Sequence, residues 1–96
     1  MIAVKRMHDG DPLQFDVLVR DQDGESRHHV TMSLAACGRL SGGKHEAERC
    51  IEAAFRFLLD REPKESILER FDVTVIAHYF PEFEQQLPAY LSSSDP

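Results

Sequence analysis

The chain of 96 residues has no tryptophan, only two cysteines and no long apolar segment. Two cysteines make a poor disulfide framework, and in a cytoplasmic chain we expect both to be reduced, half-buried thiols. No apolar run approaches the roughly 18 residues of a membrane-spanning helix, and the N-terminal segment lacks the apolar stretch of a secretory signal. We therefore expect a cytoplasmic protein without a membrane partner.

Basic residues are missing from the C-terminal part, because residues 71–96 contain four acids and neither lysine nor arginine. The formal net charge of the chain is −6. A nucleic-acid-binding protein displaces counterions from phosphates with a concentrated basic face. The sequence shows no such cluster of lysine and arginine. The charge distribution therefore argues against nucleic acid as a partner.

The five histidines lack the spacing of a metal site. His28 and His29 are neighbours that point to opposite faces of a strand, so a regular strand cannot direct both to one ion. No H-x-x-x-H pair is present, and neither Cys37 nor Cys50 has a second thiol close to it in the sequence. These spacings are not those of structural zinc. We accordingly predict no metal and no other cofactor.

An alternating apolar pattern over residues 13–20 and 26–32 predicts a β-hairpin. Residues 2–7 form a candidate strand before it, and the turn-forming sequence HDGDP separates the two. Helical patterns follow these strands along the chain. This order is typical of an α+β domain in which a small antiparallel β-sheet of two to three strands packs against three to four C-terminal helices.

The Asp-Gly dipeptide at 23–24 is the turn signal of the predicted hairpin. If these two residues form the whole loop, Arg20 faces Arg27, which is a mild like-charge conflict. A four-residue loop over 21–24 brings the same apolar faces together, whereas a three-residue loop separates them. The pattern therefore determines the faces of the hairpin and leaves two loop lengths open.

Helix signals occupy most of the chain after the hairpin. Ser33 is placed to cap a short first helix, and the second helix has a broad apolar side opposite charges of alternating sign. Pro63 and Ser66 are competing starts for the third helix. The predicted helices cover about residues 34–40, 45–60, 64–71 and 74–80.

The segment 73–83 carries a strand-like alternation as well as the i, i+3, i+4, i+7 pattern of a helix. Thr74 as a cap and Pro81 as a stop favour the helix. Residues 87–96 are expected to fray toward their Ser- and Pro-rich end, with docking of Leu87, Tyr90 and Leu91 before that end left open. The sequence thus predicts a single compact domain over residues 1–86 and a short C-terminal tail.

The segment GRLSGGKH, residues 38–45, almost matches the phosphate-binding motif G-x-x-x-x-G-K-[ST], but His45 stands where the motif has a hydroxyl. The motif also needs a preceding strand and a parallel sheet, which this chain does not offer. A weaker function is still possible, because Gly42, Gly43 and Lys44 precede a helix whose N–H groups attract anions. Small-ligand or anion binding at these residues is our alternative hypothesis.

Cys37 and His45 are the one nucleophile and base that lie close together in the sequence. They support a third hypothesis, a small cysteine-dependent enzyme. Because catalysis usually requires a sizeable pocket and this core is small, we rank this hypothesis after the other two.

Aromatic residues gather near the end of the predicted domain, at Tyr79, Phe80 and Phe83. They either cover the core or stay at the surface as an interface, where aromatic side chains are enriched. Glu82 and Glu84 would give such a surface an acidic rim suited to a basic partner. We therefore predict a small non-catalytic accessory or protein-interaction domain that binds another protein or a second copy of itself.

The stretch FRFLLDREPKESILERFDVTVIAHYFPEFE, residues 55–84, resembles small bacterial proteins that have no assigned activity. The resemblance covers much of the C-terminal half of the chain. It implies a bacterial, cytoplasmic origin, and it implies no particular mechanism, cofactor or catalytic residue.

Overall fold

A computed structural model describes residues 1–93 of the chain. The fold is α+β, as the order of the sequence patterns predicted, and two 3₁₀ turns lie at Lys64–Ser66 and Val73–Val75. The strands are β1 (Ile2–His8), β2 (Leu13–Asp21), β3 (Gly24–Met32) and β4 (Arg70–Asp72), and the α-helices are α1 (Leu34–Ser41), α2 (Ala47–Leu59), α3 (Ile76–Tyr79) and α4 (Phe83–Ser93).

The strands of the β2–β3 hairpin pair in the register of the predicted four-residue loop over 21–24. Pairing continues inside that loop to Asp21 and Gly24, so the chain turns through the two residues between them. Arg20 therefore faces Glu25, and their side chains form an ion pair at 3.2 Å. The expected conflict between Arg20 and Arg27 does not arise. The two registers differ by an even number of residues, so the predicted faces of both strands are confirmed.

The helix predicted near residues 64–71 is wrong. This segment contains only the 3₁₀ turn at Lys64–Ser66 and the start of β4, which pairs in parallel with β3. The sheet order is β1-β2-β3-β4, so the sheet gains a fourth strand and becomes mixed. The backbone N–H of His29 donates to the carbonyl of Glu69 at 2.7 Å. This tertiary pairing overrides a local pattern that favoured a helix.

The core lies between the inner face of the sheet and α2, whose apolar stripe is buried as predicted. Strand residues that alternate inward meet this stripe, and the residues of β2 and β3 between them are half-buried or exposed. Fully burying one such side chain stabilises the fold by roughly 1.5–3 kcal/mol. The largest fully buried side chains include Phe15, Met32, Ile51, Phe55, Phe57 and Phe83.

Helix α4 continues the packed structure beyond residue 86. Phe83, Leu87 and Leu91 recur every four residues and are 1%, 1% and 3% exposed, because they form one stripe against α2. The boundary predicted at residue 86 falls within α4. Residues 94–96 of the predicted tail lie outside the described residues.

The hydroxyl of Ser33 caps α1, as predicted, by accepting a hydrogen bond from the N–H of Ala36 at 3.0 Å. We expect Ser33→Ala to lower the free energy of unfolding by about 1 kcal/mol, because that N–H loses its partner. Ser33→Thr should keep most of the stability. Urea denaturation of the three proteins measures the effect, and equal losses in both variants would contradict the capping role.

Candidate functional site

An apolar groove opens between the end of α2, the segment that leads into β4, and helix α3. Its cavity has a volume of about 340 Å³. The ring of Phe71 lies 6.0 Å from the core ring of Phe55, so the groove continues the core layer past the edge of the sheet. We call it the α2–α3 groove, and its walls include Leu58, Leu68, Phe71, Ile76, Tyr79 and Phe80.

Two large apolar side chains of the groove are exposed to solvent. Leu68 is 46% exposed and Tyr79 is 68% exposed. Single exposed apolar residues are ordinary on protein surfaces, but exposed residues that border one continuous apolar cavity mark interaction sites. These two side chains therefore distinguish the α2–α3 groove from the rest of the surface.

The position of Leu68 is fixed by the buried side chain of His28 on β3. The Nδ1 atom of His28 lies 2.8 Å from the carbonyl oxygen of Leu68, and its Nε2 atom lies 2.8 Å from the hydroxyl of Ser26. A carbonyl can only accept, so Nδ1 carries the proton and donates it. The imidazole also packs against Phe55, with ring centroids 5.3 Å apart. Leu68 is thus held at the mouth of the groove by a rigid contact.

Glu62 places a carboxylate in the apolar groove. It follows Leu58 by four residues, and its N–H donates to the carbonyl of Leu58 at 2.9 Å. The side chain is half-buried, and burial raises the pKa of its carboxyl group. Within residues 1–93, no hydrogen bond or ion pair satisfies this carboxylate. Among the described residues, Glu62 is the one acidic residue that lines the groove.

Arg61, next to Glu62, is turned instead toward α4. Its guanidinium carbon lies 3.6 Å from the centre of the Phe57 ring. Its nitrogens donate to Gln86 at 2.6 Å, to the hydroxyl of Tyr90 at 3.2 Å and to Glu82 at 3.3 Å. These contacts join the end of α2 to α4, so the guanidinium belongs to the packing of the domain.

The residues of the predicted interaction surface are only partly brought together. Tyr79 and Phe80 line the α2–α3 groove. Phe83 is 1% exposed and packs edge-on against Phe57, so it belongs to the core. Glu82 pairs with Arg61, and both oxygens of Glu84 accept hydrogen bonds from Arg39 at 3.1 Å. The predicted acidic rim is therefore used within the chain.

The predicted anion site at Gly42, Gly43 and Lys44 serves the end of α1. Gly42 and Gly43 have φ angles of +62° and +71°, a conformation that only glycine adopts without strain. The N–H of Gly43 donates to the hydroxyl of Ser41 at 3.0 Å, and the N–H of Lys44 donates to the backbone carbonyl of Ser41 at 3.2 Å. These two donors are spent on the cap, and α2 begins only at Ala47.

Cys37 lies in α1, and His45 lies in the connection between α1 and α2. No hydrogen bond joins Cys37 to His45 within residues 1–93. Burial raises the pKa of Cys50 to about 11, with a smaller contribution from Cys37. The described part of the chain contains no group of three or more histidine, cysteine or carboxylate side chains that could hold a metal ion.

Glu62 and Leu68 were not among the site residues predicted from the sequence. A weak signal existed for Glu62, because a step of four residues from Leu58 continues the buried side of α2 to position 62. Leu68 lies in the segment 64–71 that was predicted to be a helix, whereas in the fold it directly precedes the β4 pairing and is 46% exposed. The groove is therefore a tertiary feature that no local pattern contains.

Because Phe83 is buried and Tyr79 is exposed, truncation should lower the stability of the fold strongly at Phe83 and only slightly at Tyr79. Phe83→Ala removes a fully buried ring and should lower the free energy of unfolding by roughly 3–5 kcal/mol. Tyr79→Ala removes an exposed ring and should change it by less than about 0.5 kcal/mol. Denaturant unfolding measures both, and similar losses would show that Tyr79 is packed in solution.

The two thiols should differ sharply in reactivity. With its pKa raised to about 11, Cys50 is deprotonated in roughly one molecule in a thousand at pH 8. We expect iodoacetamide to alkylate Cys37 alone in the native protein and both cysteines in urea, as read by peptide mapping. Alkylation of native Cys50 at the rate of Cys37 would contradict the buried position.

No protein-family model, curated protein sequence or solved structure matches this chain. The resemblance of residues 55–84 to small bacterial proteins stays a prediction. Among the helices of residues 1–93, none is long and apolar enough to span a bilayer. The α2–α3 groove, with Leu68 and Tyr79 at its mouth and Glu62 in its wall, is the feature from which a function can be argued.

Proposed function

We propose that this chain is a small protein-interaction domain whose α2–α3 groove receives apolar side chains of a partner protein. The observation that carries the proposal is the continuity of the exposed side chains of Leu68 and Tyr79 with an apolar cavity of about 340 Å³. Water against these surfaces is released when a partner covers them, which favours association.

The size and polarity of the groove fit side chains of a partner. Pockets for small ligands occupy roughly 300–1,000 Å³ and combine mainly apolar walls with a small number of placed polar groups. The α2–α3 groove is at the small end of that range, and its polar side-chain groups are those of Glu62, Ser66 and Tyr79. Its volume suits one or two side chains of a peptide.

The groove is supported by elements that do not need to move. His28 anchors the segment before β4, and Phe57 packs against Phe80 at 5.8 Å between ring centroids. A preformed site loses little conformational entropy when a partner binds. The partner supplies a short segment, because a cavity of about 340 Å³ receives only a few side chains. A second copy of the chain is one source of such a segment.

Selection of binders from a displayed random-peptide library tests the proposal. We expect selected peptides to lose at least about tenfold in affinity for Leu68→Asp, because the charge would be buried against apolar walls. Fluorescence anisotropy of labelled peptides measures the loss.

Leu34→Asp is the matched control, because Leu34 is 52% exposed on α1 and does not line the groove. Its affinity for the peptides should stay within about twofold of the parent protein. Equal losses for the two variants, or no enriched peptide, would contradict the proposal. Sedimentation velocity then tests whether a second copy occupies the groove. A dimer of the parent protein that persists in Leu34→Asp and dissociates in Leu68→Asp would place the second copy there.

A further inference from the structure

We infer that the partner segment of the α2–α3 groove carries an arginine whose guanidinium pairs with Glu62. This inference rests on the proposed function and names the chemistry of the partner. It is carried by one observation, a half-buried carboxylate in an apolar wall for which residues 1–93 supply no hydrogen bond or ion pair.

The charged carboxylate of Glu62 is energetically unfavourable in the apolar wall of the groove. A charged group that is removed from water without a partner loses solvation that nothing replaces. The burial of Glu62 is the cause of its raised pKa, so the loss of solvation acts on the charged form. A cation brought by a partner would restore that lost interaction, and it would do so in an environment less polar than water.

The neighbouring cations of the chain are committed elsewhere. Arg61 donates to the α4 side chains and covers the ring of Phe57. The Lys64 side chain is 2% exposed, and its ammonium donates to Asp21 at 2.8 Å and to Glu65 at 2.6 Å. The cation for Glu62 therefore has to come from outside the described chain.

The other walls of the groove suit the rest of an arginine side chain. The aliphatic stem of arginine can cover Leu58 and Leu68 while its charged end reaches the carboxylate. Tyr79 adds an exposed aromatic face in the same cavity, and a guanidinium stacks on such a face. Arginine fits better than lysine, because its planar group binds a carboxylate through two parallel hydrogen bonds and stacks on rings.

Charge also selects against the opposite kind of segment. The chain has a formal net charge of −6, and Glu62 adds a negative group inside the groove itself. An acidic segment would be repelled during encounter and would leave two like charges together after docking. The partner segment is therefore apolar and basic.

A double-mutant cycle on the selected peptides tests the inference. We expect the peptides to share one arginine, and we expect its replacement by citrulline, which is neutral and has the same shape, to weaken binding about tenfold. Glu62→Gln should weaken binding of the arginine peptide by a similar factor. The citrulline peptide should bind the parent and Glu62→Gln almost equally, because the two changes remove the same interaction.

Glu69→Gln is the control, because Glu69 is exposed and does not line the groove. Its affinity for the arginine peptide should match that of the parent. Thermal unfolding should show that Glu62→Gln is folded, since its carboxylate holds no partner in the chain.

The outcomes separate the two proposals. Peptides that are sensitive to Leu68→Asp but bind Glu62→Gln as tightly as the parent would overturn the arginine pairing and leave the interaction domain standing. Additive effects of citrulline and Glu62→Gln would overturn it as well. If no peptide is sensitive to Leu68→Asp, the groove is not the binding site and both proposals are wrong.

Discussion

The architecture depends on the parallel pairing of a three-residue strand with the open edge of β3. Two neighbouring residues of β3 hold two neighbouring carbonyls of the returning chain. The backbone N–H of His29 donates to Glu69 at 2.7 Å, and the imidazole of His28 donates to Leu68 at 2.8 Å. The backbone contact of His29 extends the sheet, and the side-chain contact of His28 holds Leu68 from the core side, so two contacts fix the segment. The His28 contact holds Leu68 at the mouth of the α2–α3 groove.

The end of α2 divides the structural core from the candidate site. Arg61 and Glu62 are adjacent in the chain, and successive residues of a helical turn point in different directions. Arg61 turns to the aromatic cluster around Phe57 and joins α4 to the domain. Glu62 turns to the groove and finds no partner there. Two charged residues with similar sequence surroundings thus have one structural and one proposed functional role.

Local patterns were sufficient for the parts of the fold that depend on neighbours in the chain. The faces of the hairpin, the Ser33 cap and the stripe of α2 follow from alternation, capping chemistry and helical periodicity. The assignment of residues 64–71 failed because a three-residue strand has too few residues for a pattern of its own. Its partner is about 40 residues away in the sequence, and only the folded chain brings the two together.

The candidate site was harder to predict for the same reason. An exposed and a buried aromatic residue look alike in the sequence. In the fold, Phe83 packs against Phe57 in the core, whereas Tyr79 is exposed. Glu84 looked free to meet a partner, but Arg39 on α1 already holds it. Such pairs join elements that are distant in the chain, so their charges cannot be assigned from spacing alone.

The carboxylate of Glu62 also bears on what the groove rejects. An uncharged apolar groove with Leu68 and Tyr79 at its mouth would attract any apolar surface, including that of another copy of the chain. A half-buried negative charge makes purely apolar partners unfavourable, because docking would remove its remaining water without replacing it. A segment that brings its own cation avoids this cost. In the proposed interaction, the group whose burial is unfavourable in the empty groove is also the group that selects the partner.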